Sequence, residues 1–350
     1  MSASLKKQLK EKFADNIAFD IPLKQKSYLK IGGHAKYFLT LTEAEAIKDA
    51  IGYLREQGLE YFILGKGTNT LIKEGPLNPI IIQLARTTKP TIDLEKNEIT
   101  YPAGILLMQA IKIALQHRLG GMEFGIGIPG SIGGAVKMNA GTYLGEVKDV
   151  LKKAFVIRHS TSPSTNHLAP ASQPPNLTPL SSSSPPSVTS QNHTRITEED
   201  AISLGLEYRS SNLKSSEIVL AAKFALSPLS EAECKLRKKT VLTTLAKRKQ
   251  TQPLAANSLG STFKNPSQNL TGRAAVPNSE KLFAARLIEA ANLKGVRCGG
   301  MSVSTQHANF IINDGSATAT DALRLLELIE TTVYKKFGIR LEREITLLGW

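Results

Sequence analysis

Residues Gly120 to Gly145, GGMEFGIGIPGSIGGAVKMNAGTYLG, constrain this chain more than any other stretch. The run is glycine-dense and nearly uncharged, with Pro129 and Asn139 set among small side chains. Glycine loses more backbone entropy on ordering than any other residue. Such a run therefore implies a main chain that approaches something closely or turns with φ > 0. An upstream loop, ILGKGTNTL from Ile63 to Leu71, has the same character. Two loops of this kind point to a large phosphate-bearing ligand held by backbone N–H groups.

The common phosphate folds fit poorly. Gly125, Gly127 and Gly130 satisfy G-x-G-x-x-G formally, but that fingerprint needs a buried strand before it and a helix after it. GMEF is short for the strand, and residues 131–141 hold too many glycines for the expected helix. No G-x-x-x-x-G-K-[ST] loop and no G-x-S-x-G elbow occurs.

At 350 residues the chain has room for two or three domains, each with a core. Its net charge of +14 raises nucleic acid as a partner. The lysines are dispersed, however, with one cluster from Lys235 to Lys249, and no recognisable nucleic-acid module accompanies them. An anionic small substrate with a phosphorylated cofactor explains the sign equally well. Cys234 and Cys298 stand far apart, and His34, His117 and His307 show no ligand spacing, so neither a disulfide framework nor a metal site is expected. No apolar run reaches the roughly 18 residues of a membrane span, and MSASLKKQLKEKF lacks the apolar core of a signal peptide. A cytoplasmic protein without a membrane or obligate protein partner is expected.

Along the chain, Ser27 to Leu39 reads as two strands about a Gly-Gly turn. Thr42 and Glu45 form a capping box for a helix with Ile47, Ala50, Ile51 and Leu54 on one face, ended by Gly58. YFILG and PIIIQL read as buried strands, and TIDLEKNEITY as a hairpin turning at Lys96-Asn97. A helix through Leu107, Ala110, Ile111 and Ala114 closes at Gly120. Residues 160–194 contain no Asp, Glu, Lys or Arg and consist mainly of Ser, Pro, Thr, Asn and Gln. Too little apolar surface is present to offset ordering entropy, which predicts a disordered surface insertion between two strand ends. Beyond it come a basic helix from Ser230 to Arg248, a helix over 281–292, and strands over 296–303 and 308–313. Thr318 with Asp321 caps a last helix facing inward through Ala322, Leu326, Ile329 and Val333, stopped at Gly338 and followed by a final strand.

ILGKGTNTLI and GMEFGIGIPGSIGGAVKMNAG together resemble the two FAD-contacting segments of the UDP-N-acetylenolpyruvoylglucosamine reductase (MurB) family. YRSS (Tyr208–Ser211), GSTFKNP (Gly260–Pro266), LKG (Leu293–Gly295) and LERE (Leu341–Glu344) follow in that family's order. The resemblance covers about residues 20 to 349 apart from the insert. It implies an α+β chain with a vanillyl-alcohol-oxidase/PCMH-type FAD-binding fold of two αβ subdomains (20–86 and 87–228). A helical extension (1–19) precedes them and an α+β substrate domain (229–350) follows. It further implies that NADPH reduces FAD, and that flavin N5 gives a hydride to the vinyl carbon of UDP-N-acetylglucosamine enolpyruvyl ether, forming UDP-N-acetylmuramate for peptidoglycan. The short stretch between Ser261 and Lys294 is similar to the compact subclass lacking a tyrosine-bearing substrate loop.

By the same resemblance, Gly65, Lys66, Gly67, Thr68, Asn69 and Thr70, with Ile128, Pro129, Gly130, Ser131, Gly133 and Gly134, contact FAD, and Asn139 and Gly141 lie nearby. Hydride addition beside a carboxylate leaves an enolate-like species, which needs cationic or hydrogen-bonding support and an acid. Arg209 matches the carboxylate fork, Ser261 the proton donor, and Glu344 the acidic residue beside the carboxylate. Tyr208 positions the site, and Arg248, Lys249 and Asn265 are candidates for the sugar and diphosphate. Plain alternatives stand beside these: a surface arginine, a serine satisfying backbone groups, and a basic helix that is only a solvated face. Glu342 rivals Glu344, because strand alternation can put both on one face. An oxidase of the same flavin fold acting on another carbohydrate is the alternative activity, and a basic nucleotide- or nucleic-acid-binding module without turnover is a third.

Overall fold

The computed structural model describes residues 3–85, 89–159, 194–267 and 282–350. Helix α1 (Ala3–Phe13) tucks Leu9 and Phe13 into the first core and leads to β1 (Ile17–Pro22), which pairs antiparallel with β2 (His34–Leu41). The first strand thus begins upstream of Ser27. Residues 27–33 form a loop instead, because Tyr28 N–H donates to the Gly67 carbonyl and Gly33 N–H to the Lys73 carbonyl. Helix α2 (Ala44–Glu56) buries Ile47, Ala50, Ile51 and Leu54, as their spacing predicts. Its expected capping box is absent: Glu43 holds the cap position, and the Glu45 carboxylate pairs with Lys48 one turn on.

Next come β3 (Tyr61–Ile63), β4 (Thr70–Ile72), β5 (Pro76–Leu77) and β6 (Ile80–Leu84). Strand β6 lies between β2 and β3, parallel to both, with Ile80, Ile81 and Ile82 buried. The loop over residues 64–69 leaves the carboxyl end of β3, the end at which open parallel sheets bind ligands.

Strands β7 (Thr91–Asp93) and β8 (Glu98–Pro102) make the expected hairpin, with Asn97 left-handed at φ 55°. Helix α3 (Leu107–Gln116) ends before Gly120 because Arg118 turns left-handed (φ 56°) and its carbonyl accepts the Leu229 N–H. Gly120 belongs instead to β9 (Leu119–Gly120). The glycine-rich segment contains a helix after all, α4 (Ile132–Lys137). Low propensity is overridden by packing: a Cβ on Gly133 would lie 2.8 Å from the Ala103 Cβ.

The hairpin β10 (Gly141–Thr142) and β11 (Gly145–Glu146) precedes β12 (Leu151–His159), β13 (Thr194–Asp200) and β14 (Ile218–Ala225). The second sheet runs β13-β12-β14-β8-β7, antiparallel throughout. One face packs on α3 and α4; the other gives Ile157, Ile218 and Leu220 to the core beneath α2. Strands β12 and β13 stay paired up to His159 opposite Thr194. The serine-proline insert therefore joins the ends of one antiparallel pair; apart from Thr194 it lies outside the described residues, as do residues 268–281, within the stretch read as lacking the tyrosine loop.

Strand β15 (Ser227–Pro228) leads to α5 (Glu231–Thr251), capped by a Ser230–Glu233 box. Strand β16 (Asn257–Ser258), helix α6 (Ala284–Ala290), β17 (Arg297–Cys298), β18 (Met301–Val303), β19 (Ile311–Asn313) and α7 (Ala319–Phe337) build the third core. The expected strand 296–303 is a hairpin, because Gly299 is left-handed at φ 55°. Helix α7 carries the expected Thr318–Asp321 box, buries the expected face and stops at Gly338 (φ 69°). The final strand is short, β20 (Thr346–Leu348), and it pairs in parallel with β4, the two forming a sheet of their own.

Because His159 and Thr194 face each other, a two-residue Asn-Gly turn can replace residues 160–193. The shortened chain should fold and carry the same flavin-to-protein ratio as the full chain. Loss of flavin on purification would show that the insert supports the site.

Candidate active site

A cleft of about 660 Å³ opens between loops of all three parts of the fold. The loop after β3, the loop before α4, the turn after β16 and the segment before β20 all line it. Its glycines are of two kinds. Gly67 (φ 61°) and Gly141 allow close approach within the protein: a Cβ would come 2.2 Å from the Lys26 carbonyl oxygen at the first and 2.5 Å from the Glu146 Cβ at the second. Internal packing thus accounts for part of the glycine richness, more than the sequence pattern suggested. At Gly65 and Gly134 a Cβ would meet only the Ser131 hydroxyl, at 3.6 and 3.7 Å, and at Gly130 only Ile128, at 4.0 Å. These residues present bare main chain on the cleft wall.

Among the described residues, the N–H groups of Gly65, Gly67, Thr68 and Asn69 have no protein acceptor. Unpaired main-chain donors beside bare glycines form an anion-binding concavity. A dinucleotide diphosphate fits these residues. Gln83 steadies the loop by donating Nε2–H to the Gly65 carbonyl at 2.9 Å.

At another part of the wall, Arg209 donates Nε–H to Glu344 Oε1 at 3.0 Å and Nη2–H to the Gly141 carbonyl at 2.8 Å. Arg209 is left-handed at φ 55°, a conformation costly for a branched-out side chain and held here by both bonds. Its guanidinium lies 5.0 Å from the Tyr208 ring centre. Burial pushes the Glu344 carboxyl above the usual carboxylate range, against the opposing pull of Arg209. The two glutamates of LERE part company. The Glu344 side chain is 17% exposed and faces Arg209, whereas Glu342 is 72% exposed and pairs with Lys264. Ser261 follows Gly260 (φ 80°) onto the cleft wall, and the described residues offer its hydroxyl no hydrogen bond.

Residues 252–348 match the model of the UDP-N-acetylenolpyruvoylglucosamine reductase C-terminal domain, and residues 35–160 match that of an FAD binding domain. The UDP-N-acetylenolpyruvoylglucosamine reductase of Clostridium novyi (strain NT) is 34% identical over 336 residues, covering 96% of this chain and 93% of the relative. The chain belongs to the UDP-N-acetylenolpyruvoylglucosamine reductase family. The Staphylococcus aureus (strain COL) reductase is 33% identical over 338 residues, with the same coverage. The crystal structure of the MurB reductase from Thermus caldophilus aligns with a TM-score of 0.67 and 28% identity, over 94% of this chain and 97% of that one. The architecture is accordingly a PCMH-type FAD-binding fold followed by a MurB C-terminal domain, that of a flavoprotein oxidoreductase.

Within that frame, the structure brings Gly65 to Thr70, Ile128 to Ser131, Gly133, Gly134, Gly141, Arg209, Arg248, Ser261 and Glu344 to one cleft. Four expected residues do not line it. Asn139 is fully buried: its Nδ2–H donates to the Glu207 carbonyl and its Oδ1 accepts the Lys148 N–H, both at 3.0 Å. It ties the glycine segment to the loop bearing Arg209. Tyr208 supports Arg209 from outside, its hydroxyl accepting the Asn265 N–H at 3.3 Å. Asn265 is turned away, with Oδ1 accepting the Ala284 N–H at 3.1 Å. Lys249 is exposed on α5, its carbonyl accepting Gln306 Nε2–H. Arg248 lies along the glycine loop and donates Nη1–H to the Ile126 carbonyl at 2.6 Å, its pKa lowered by burial.

Sequence reasoning missed Lys137. Its ammonium donates to the carbonyls of Lys214, Ser215 and Glu217 at 2.9, 3.2 and 3.2 Å, and burial lowers its pKa. Its signal was a single charge in the small-residue run GGAVKMNAG.

A buried acid with a raised folded-state pKa adds stability below its unfolded value and loses that contribution as pH rises through the folded value. Relative to Glu344→Gln, the wild-type protein should therefore lose unfolding free energy as pH climbs above 4.5, read by urea unfolding across a pH series. A wild type that instead gains on the variant would show that pairing with Arg209 outweighs burial.

Proposed function

We propose that this protein reduces the enolpyruvyl ether of UDP-N-acetylglucosamine to UDP-N-acetylmuramate with NADPH, in a cytoplasmic step of peptidoglycan precursor synthesis. The observation carrying this reading is the meeting of Ser261, the Arg209–Glu344 pair and the N–H groups of Gly65, Gly67, Thr68 and Asn69 on one cleft, in a chain of this family. Gly65, Gly67, Thr68 and Asn69 would hold the FAD diphosphate, with the bare faces of Gly130 and Gly134 opposite. The chemistry that FAD supplies when bound is two-electron hydride transfer, from NADPH and then to the vinyl carbon.

This chain's own residues manage charge and the proton. Hydride added to the terminal vinyl carbon leaves negative charge on the adjacent carbon and its carboxylate. Arg209 meets that carboxylate with its remaining N–H donors, whose attraction grows as charge develops. Burial pushes the Glu344 carboxyl above the usual carboxylate range, and in its protonated form it adds a donor beside the carboxylate without a second repelling charge. Ser261 Oγ–H gives its proton to the adjacent carbon, completing addition of H⁻ and H⁺ across the double bond; solvent then restores the hydroxyl. The segment at Gly260, open around its α-carbon, leaves space for the substrate to approach Ser261. The basic balance of the chain, +14, suits a substrate carrying a diphosphate and a carboxylate.

Anaerobic stopped-flow on Ser261→Ala tests the assignment. Flavin reduction by NADPH should proceed, while reoxidation by the enolpyruvyl substrate stalls. Arg209→Ala should slow the same step about 10²–10³-fold. Unchanged substrate reduction in Ser261→Ala would refute the acid role, and rapid reoxidation by oxygen alone would favour an oxidase of this fold.

A further inference from the structure

Asn69 sits in the glycine loop after β3 and lines the cleft, where an asparagine amide would ordinarily serve a ligand. The amide is committed elsewhere. Its Nδ2–H donates to the main-chain carbonyl of Glu344 at 3.0 Å, and the Asn69 carbonyl accepts the Thr346 N–H at 2.8 Å. The two bonds straddle Ile345, which is buried in the third core. On its other side, Glu344 N–H donates to the carbonyl of Thr262, next to Ser261. The β4–β20 ladder starts one residue beyond Asn69.

We propose that Asn69 is a positioning residue for Glu344, locking the loop that offers N–H groups to the cofactor and the carboxyl that acts on the substrate into one body. This rests on the role given to Glu344 above. Arg209 alone cannot fix that carboxyl, because a long side chain follows its partner; the Asn69 bonds fix the main chain from which the carboxyl projects. A misplacement of about 1 Å in such a group can cost about 10²-fold in rate. Ordering residues 65–69 around a diphosphate would then also order Glu344, so cofactor and substrate chemistry are mechanically joined.

Asn69→Ala, compared with wild type and Glu344→Gln as full-length proteins, tests this. The first readout needs no cofactor: flavin-free protein labelled with carboxyl-¹³C glutamate, with the Glu344 resonance identified by its loss in Glu344→Gln. In Asn69→Ala the Glu344 titration midpoint should move down toward the ordinary carboxylate range as water reaches it. In the flavin-loaded fraction, reoxidation by the enolpyruvyl substrate should fall at least ten-fold more than reduction by NADPH. Asn69→Ser, which keeps a shorter donor, should recover part of the loss, and it supplies the comparison if the alanine variant does not fold. A wild-type Glu344 midpoint and wild-type substrate step in the Asn69 variants, with Glu344→Gln impaired, would overturn the positioning role. Full activity in Glu344→Gln would instead overturn the reading of Glu344 itself.

Discussion

Three backbone pairs, Thr346 with Thr70, Leu347 with Leu71 and Leu348 with Ile72, carry the end of the chain back to β4, the strand that follows the Gly65–Asn69 loop. The cleft depends on this ladder. Without it, the segment carrying Glu344 would belong only to the third core, and the loop carrying Gly65 to Asn69 only to the first. Glu74 strengthens the seam by accepting the Ala319 N–H at the start of α7. Parallel pairing between segments so distant in sequence has a high loop-closure cost. Burial of Leu71, Ile72 and Leu348 in the surrounding cores helps offset it.

The seam also explains how an acid and an arginine share a largely enclosed wall. Glu344 takes main-chain bonds from two directions, and Arg209 accepts an unfavourable left-handed backbone to reach both Glu344 and Gly141. Strain and burial of this kind are retained where the surroundings over-determine them. Burial raises the pKa of Glu344 and Arg209 opposes it, the kind of competing influence that gathers at functional sites.

Much of the fold was legible in residue patterns. The apolar faces of α2, α3 and α7, the Asn97 hairpin and the Thr318 cap follow from local spacing and capping chemistry. Two of the misreadings share one origin, namely contacts with distant residues. Residues 27–33 become a loop because Gly67 and Lys73 accept their N–H groups, and α4 forms around glycines because Ala103 packs against Gly133. In the cleft, residue types and order were visible, but not which side chains would be occupied internally. Asn139 and Asn265 resemble ligand-binding amides in sequence, yet both spend their oxygen on main-chain donors of this protein. The choice between Glu342 and Glu344 needed three dimensions, since it turns on which carboxylate Arg209 reaches.

We propose that unpaired main-chain donors on this cleft hold a flavin dinucleotide that passes a hydride to an unsaturated sugar acid. The visible absorbance spectrum of the purified protein tests it most directly, recorded without oxygen as NADPH and then the enolpyruvyl ether are added. The protein should be yellow, bleach with NADPH and regain its colour with the substrate. A colourless protein that takes up no added FAD would contradict it.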